Sequence, residues 1–149
     1  MAVTSTAPPD AEPRRLVVVG AAAGMGRWLS DHLFAGLPWQ QVVLIDTAQS
    51  AALLAGAAAA YRGTPVATGT LADVTAHLAD EGFVICVAVP DGAAPGVLAE
   101  LDALVPRDAP IVLVSVGFAW AMNVLAAVPD RTAVALHPLL DTSARSLDG

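Results

Sequence analysis

The sequence predicts an α/β fold, in which one domain is built around a doubly wound, mostly parallel sheet. Six apolar runs alternate with stretches of helical pattern, and the run at 82–89 has no polar alternation, which is typical of a strand covered on both faces. The chain has 149 residues, 56% of them hydrophobic, which is enough to bury one sizeable core. Right-handed crossovers in such a fold bring the carboxyl ends of the strands to a common crevice.

Strands and helices are predicted to follow one another along the chain. The strands are expected near residues 15–20, 42–46, 65–68, 82–89, 110–116 and 132–137. The helices are expected near residues 25–35, 48–61, 71–79, 94–105 and 118–127. Glycine or proline ends several of them: Gly63 and Pro65 follow the second helix, Pro106 the fourth and Pro129 the fifth.

The first helix is predicted to be amphipathic. Its apolar residues at helical spacing are expected to form one buried stripe: Met25, Trp28, Leu29 and Leu33. Its polar residues are expected to lie largely outside: Arg27, Ser30 and Asp31. Arg27 is also close enough to the start of the helix to contact a phosphate, although an exposed helix position is the simpler interpretation.

A glycine-bearing turn joins the first strand to the first helix. A helix N-terminus presents free N–H groups and the positive end of the helix dipole, so this arrangement is typical of a dinucleotide diphosphate site. The spacing of the glycines here, at Gly20, Gly24 and Gly26, is not G-x-G-x-x-G. If Gly26 is the third glycine of that pattern, Ala21 and Ala23 take the first two positions. Because alanine adds a methyl group, this predicts a slightly wider turn. The candidate cofactor-binding residues here are Gly20, Ala21, Ala23, Gly24, Met25 and Gly26.

The second apolar strand closes on Asp46, twenty positions after Gly26. A carboxylate there can accept both hydroxyls of the adenosine ribose and repels a 2′-phosphate, so NAD is predicted as cofactor in preference to NADP. The turn and Asp46 together predict a Rossmann-type nucleotide-binding domain. A strand, turn and helix that bind no ligand are the alternative.

Composition excludes several other classes of protein. The formal net charge is −7, so the chain lacks the basic surface that nucleic acid requires, and no apolar run approaches the ~20 residues of a membrane span. The single cysteine, Cys86, lies in an apolar strand and is expected to be a small buried hydrophobe, and no Cys/His spacing indicates a metal site. Residues 1–13 lack the apolar core of a secretory signal and are expected to be a disordered arm of a cytoplasmic protein, leaving 14–149 as the nucleotide-binding domain.

Three further segments are expected at the carboxyl ends of strands. The first carries Val89 and Pro90, the second Ser115 and the third His137. A serine and a histidine so placed can meet beside a bound nicotinamide. The alternatives are a Ser115 that caps the next helix and a His137 that bonds only to backbone.

The order of these motifs resembles the N-terminal domain of prephenate and arogenate dehydrogenases, enzymes of tyrosine biosynthesis. The matching segments are Val19-Gly20, Gly24-Met25-Gly26-Arg27-Trp28, Val87-Ala88-Val89-Pro90, Ser115-Val116 and His137-Pro138-Leu139. The resemblance implies an NAD(P)-dependent oxidative decarboxylation of a cyclohexadienyl substrate. It also implies that His137 contacts the ring hydroxyl and assists hydride transfer, and that Ser115 lies beside the nicotinamide and His137.

The chain also differs from that family. Gly117 stands where the family usually has lysine, and Leu139-Leu140 follows Pro138 where the family tends to continue through glycine toward an acidic residue. The helical domain that supplies substrate-binding arginine and builds the family's dimer would follow Gly149. These observations give two hypotheses, a dehydrogenase of this type and a non-catalytic dinucleotide-binding module. A homodimer is also expected, because the chain is rich in apolar residues.

A third hypothesis comes from the glycine spacing. Gly20, Gly24 and Gly26 fit the G-x-x-x-G-x-G turn of short-chain dehydrogenases. That family needs a Tyr-x-x-x-Lys pair for proton transfer, whereas Tyr61 is the only tyrosine and the chain has no lysine. The short-chain dehydrogenase hypothesis is therefore nearly excluded.

Overall fold

The computed structural model describes residues 15–78, 83–90 and 92–105, together with the backbone of two further strands at 111–114 and 133–136. The strands are β1 (Arg15–Val19), β2 (Gln41–Ile45), β3 (Val66–Gly69), β4 (Phe83–Val87), β5 (Ile111–Val114) and β6 (Ala133–Leu136). The helices are α1 (Gly24–His32), α2 (Ala51–Ala58), α3 (Val74–His77) and α4 (Ala94–Leu104). Short 3₁₀ turns lie at Phe34–Gly36, Ala48–Ser50 and Leu71–Asp73.

All six strands are parallel and form one sheet in the order β3-β2-β1-β4-β5-β6. The chain builds β1, β2 and β3 toward one edge, then crosses back to place β4 beside β1 and continues to the other edge. The strand order therefore reverses between β1 and β4, and the crevice at such a reversal is where doubly wound sheets bind ligands. The predicted doubly wound, Rossmann-type sheet is confirmed.

Two apolar layers cover the sheet, one on each face. Successive residues of a strand point to opposite faces, so Val17 belongs to one layer and Leu16 and Val18 to the other. The layer with α3 and α4 contains Val17, Val19, Val43, Ile45, Val74, Leu78, Phe83, Ile85, Val87, Leu98, Leu101 and Val105. The layer with α1 and α2 contains Leu16, Val18, Ala21, Ala22, Leu29, Val42, Leu44, Leu54, Ala57, Tyr61, Cys86 and Ala88. Burial on both faces explains why β1, β2 and β4 lack polar alternation.

The predicted buried stripe of α1 is confirmed for Leu29 and in part for Met25, which packs against the core, but it was wrong for Trp28 and Leu33. The expectation that Ser30 lies outside was also wrong. The residues of α1 that are buried are Gly26, Leu29 and Ser30, whereas Trp28 is 36% exposed and Leu33 is 45% exposed. Gly26 packs against the backbone of Gly20, and this contact turns the face at positions 26, 29 and 30 toward the sheet. Leu33 lies just past the last turn of the helix, so it does not continue the buried face.

Arg27 is half-buried, with its side chain between α1 and α2. Its Nε donates to the Asp31 carboxylate at 3.0 Å, one helical turn away, and its guanidinium lies over Gly56 of α2. Arg27 is thus paired within its own helix, and the interpretation as an exposed helix residue is met only in part, because the side chain is 36% exposed.

A buried hydrogen bond joins α1 to the end of α2. The Tyr61 hydroxyl donates to Ser30 Oγ at 2.7 Å, and both residues lie in the interior. Burial raises the pKa of Tyr61 to about 12, so its hydroxyl stays protonated at neutral pH. Tyr61 is thus a structural residue, which removes the remaining support for short-chain dehydrogenase chemistry.

Replacing Tyr61 with phenylalanine is expected to lower the free energy of unfolding by about 1–2 kcal/mol, because Ser30 Oγ loses its partner in the interior. Urea denaturation measures the change. The double variant Tyr61→Phe with Ser30→Ala is the control, since it removes both polar groups and should recover part of the loss. Equal stability of the single variant and the unchanged chain would contradict this assignment.

The remaining elements follow the sequence closely. The predicted helix at 48–61 is a 3₁₀ turn followed by the shorter α2, and that at 71–79 is a 3₁₀ turn followed by α3. Cys86 is fully buried, as expected, and burial raises the pKa of its thiol to about 12. Across the part of the chain that is described, no helix has the length and apolar character needed to cross a membrane. The predicted helix at 118–127 and the arm at 1–13 lie outside the described residues.

Candidate functional site

The turn after β1 is fixed by close contacts with both neighbouring strands. The Gly20 N–H donates to Ile45 O of β2 at 2.8 Å, while the Ala88 N–H donates to Val19 O at 2.8 Å from the β4 side. Gly20 has φ +87°, and a Cβ at this position would overlap the carbonyl oxygen of Ala88. Only glycine combines that backbone conformation with that close approach.

The other two glycines of the turn have different roles. Gly24 has φ +59° and open space where a side chain would project, whereas Gly26 has no such space because a Cβ there would overlap the carbonyl oxygen of Gly20. Gly26 therefore brings α1 against the strand, as predicted for a third glycine. Ala21 and Ala23 need no unusual conformation, since among the described residues positive φ is confined to glycine. The positions in this turn that need a positive φ are thus Gly20 and Gly24.

The N–H groups of the turn divide into two sets. Those of Gly20, Ala21 and Ala22 are bonded within the protein: the first two donate to Ile45 O at 2.8 and 3.2 Å, and the third to Asp46 Oδ2 at 2.9 Å. The N–H groups of Gly24 and Met25 lie in the first turn of α1. Backbone N–H groups in the first turn of a helix have no acceptor inside that helix. An anion at this edge would therefore meet the amides at the start of α1, and not those of Gly20 or Ala21.

Asp46 follows β2 and connects three segments of backbone. Its own N–H donates to Gly69 O of β3 at 3.1 Å, which continues the sheet by one residue. Its Oδ2 accepts the Ala22 N–H at 2.9 Å, and its Oδ1 accepts the Thr47 N–H at 2.7 Å. Because a carboxylate oxygen has more than one acceptor position, both oxygens can still accept a ligand hydroxyl. The carboxylate is half-buried and held in one orientation beside the turn.

The segment after β4 forms the other side of the crevice. Ala88 is buried, Val89 is half-buried with its side chain beside Gly20, and Pro90 is exposed. The Pro90 carbonyl accepts the N–H groups of Ala93 and Ala94 at 2.9 and 3.2 Å, which begins α4. The structure thus brings Val89 close to the glycine turn, with Pro90 following it at the same edge of the sheet.

The two predicted catalytic residues, Ser115 and His137, lie outside the described residues, each directly after a strand whose backbone is described. Because β5 and β6 are parallel to β1, their carboxyl ends point to the same edge of the sheet as the glycine turn. Among residues 15–78, 83–90 and 92–105, no group of three or more His, Cys, Asp or Glu side chains could hold a metal ion.

Sequence reasoning missed the bond from Ala22 to Asp46. The sequence predicted that Asp46 contacts the ribose of a bound ligand, but it gave no indication that the carboxylate also accepts the backbone N–H groups of Ala22 and Thr47. A bond to a backbone N–H depends on the path of the turn, so no residue type at position 22 or 47 could have indicated it.

Comparison with known proteins supports the fold and goes no further. No protein-family model matches the chain, and no curated protein matches it. Among solved structures, the crystal structure of prephenate dehydrogenase from A. aeolicus in complex with hydroxyphenyl propionate and NAD+ matches with a TM-score of 0.64. The two share a fold. Their sequences are 18% identical, and the match covers 87% of this chain but 43% of that one.

Proposed function

We propose that this chain binds NAD across the carboxyl edge of its sheet and is the nucleotide-binding part of a prephenate dehydrogenase-like oxidoreductase. The observation that carries the proposal is the position of Asp46, whose carboxylate is bonded to the glycine turn itself. The parallel sheet, the reversal of strand order beside that turn and the NAD+ in the similarly folded prephenate dehydrogenase support it.

The described residues fit an adenine dinucleotide. The amides of Ala23, Gly24 and Met25 at the start of α1 would donate to the diphosphate, and the open space at Gly24 leaves them accessible. The carboxylate of Asp46 would accept the hydroxyls of the adenosine ribose. Val89 and Pro90 would line the crevice on the β4 side.

The resemblance of the sequence to prephenate and arogenate dehydrogenases suggests the chemistry. A bound NAD would supply the hydride acceptor for the hydroxyl-bearing ring carbon of the substrate. In the proposed reaction the imidazole of His137, in its neutral form, would accept the proton of that hydroxyl, and Ser115 would lie beside the nicotinamide and His137. Loss of the ring carboxylate as CO2 then gives an aromatic product.

Calorimetric titration of the chain with NAD+ tests the binding step. The proposal predicts saturable binding at one site per chain. No heat with either NAD+ or NADH, under conditions where circular dichroism shows a folded chain, would overturn it.

The catalytic step needs a separate test with prephenate as the substrate. Formation of NADH is measured with the chain alone and with a helical domain of the dehydrogenase family added. His137→Ala is expected to keep NAD binding but to lose about 10²–10⁴-fold in turnover. His32→Ala is the control, because His32 is exposed at the far end of α1.

Two differences from the family favour a second candidate function. Gly117 and the Leu139-Leu140 pair replace residues that the family usually has beside its active site. A non-catalytic dinucleotide-binding module would bind NAD in the calorimetric experiment but would not turn over prephenate with the helical domain added.

A further inference from the structure

We infer that Asp46 is also a positioning residue for the diphosphate, acting through the backbone of Ala22; this rests on the proposed binding of NAD. The hydrogen bond from the Ala22 N–H to Asp46 Oδ2 at 2.9 Å connects the turn after β1 to the end of β2. Asp46 would then affect binding of a part of the ligand that it does not touch.

The geometry explains how the effect is transmitted. Ala22 is buried, and it lies between Ala21, whose N–H is bonded to Ile45 O, and Ala23, the N-cap residue of α1. Fixing the Ala22 amide therefore sets the direction in which the chain enters the helix. The amides that would hold the diphosphate follow directly, at Ala23, Gly24 and Met25.

Asp46 is itself held firmly enough to fix that amide. The Thr47 N–H donates to its other oxygen at 2.7 Å, and its backbone N–H is bonded to β3. Both side-chain bonds join a charged acceptor to an N–H donor, which is the stronger class of hydrogen bond. An asparagine cannot replace them, because its amide NH2 cannot accept the second N–H.

Electrostatics alone predicts the opposite effect of removing this carboxylate. Asp46 is negative and close to the proposed diphosphate, so neutralising it reduces repulsion and should strengthen binding of an anion. Positioning through Ala22 predicts weaker binding. The direction of the change therefore separates the two roles.

The test uses inorganic diphosphate, which lacks the ribose that Asp46 would contact directly. Its affinity for the unchanged chain and for Asp46→Asn is measured by NMR from the amide shifts of residues 20–26. We expect Asp46→Asn to weaken diphosphate binding about threefold to tenfold. Unchanged or tighter binding would overturn the inference.

A matched control is available in the 3₁₀ turn that follows β3. Asp73 is exposed where Asp46 is half-buried, but its Oδ2 likewise accepts a backbone N–H, that of Thr70 at 2.7 Å, and this bond does not involve the glycine turn. Asp73→Asn removes the same charge and should leave diphosphate binding unchanged or slightly tighter. Equal weakening by both variants would show a general loss of stability and overturn the inference.

A second measurement needs no variant. Hydrogen exchange of the Ala22 amide in the unchanged chain should be slow, because it is buried and bonded to Asp46, and fast exchange would contradict the inference.

Failure of the proposed function and failure of this inference give different results. A chain that binds neither NAD nor diphosphate overturns the proposed function and this inference together. If the chain binds NAD while Asp46→Asn holds diphosphate normally, only the inference is overturned.

Discussion

Replacing Gly20 with alanine is expected to lower the free energy of unfolding by about 2–4 kcal/mol and to abolish NAD binding. The new Cβ would overlap the carbonyl oxygen of Ala88, which is backbone and cannot move aside without displacing the end of β4. The φ of +87° adds a conformational cost of about 1–2 kcal/mol for any residue with a side chain. Chemical denaturation measures the stability, and calorimetry measures the binding.

Gly96→Ala is the control for this variant. Gly96 lies in α4 with open space around the added methyl group, so the change should be neutral or should stabilise the chain by up to about 1 kcal/mol. If Gly20→Ala were as stable as Gly96→Ala, that result would contradict the close packing between Gly20 and the Ala88 carbonyl after β4.

Changing Asp46 to asparagine is expected to remove most of the preference for NAD over NADP. A carboxylate beside the ribose repels a 2′-phosphate, and at roughly 4 Å near a protein surface such repulsion amounts to a few kcal/mol before screening by salt. We expect the unchanged chain to bind NADP about 100-fold more weakly than NAD and the variant less than about tenfold more weakly.

The ratio of the two dissociation constants is the quantity to measure. NAD and NADP share the diphosphate, so any effect of Asp46 on the turn cancels in the ratio and the direct contact with the ribose remains. Asp31→Asn is the control, because Asp31 is an exposed carboxylate paired with Arg27 on α1. An unchanged ratio in Asp46→Asn would show that this carboxylate does not face the ribose.

The strands could be predicted from the sequence because their cause is local. A run such as Val42 to Ile45 is apolar at every position, and burial on both faces of a parallel sheet requires that pattern. The glycine turn and the acid at the end of β2 could also be located, because each directly follows an apolar run, in the order that a nucleotide-binding unit requires.

The rotation of α1 could not be predicted from its own pattern. The apolar spacing predicts one buried face that includes both Trp28 and Leu29, whereas the structure buries a face that passes through Gly26, Leu29 and Ser30. The contact of Gly26 with Gly20 decides between them, and the bond from Tyr61 then satisfies the buried Ser30. Both interactions come from outside the helix, one of them from a residue 31 positions away.

The amides of a ¹⁵N-labelled chain, followed by NMR during titration with NAD+, test the central claim most directly. The account predicts that the largest shifts occur at Ala23, Gly24 and Met25 and at Thr47, which flanks Asp46. No shift on saturation with NAD+, or shifts confined to the distant end of α4 around Leu101, would contradict it.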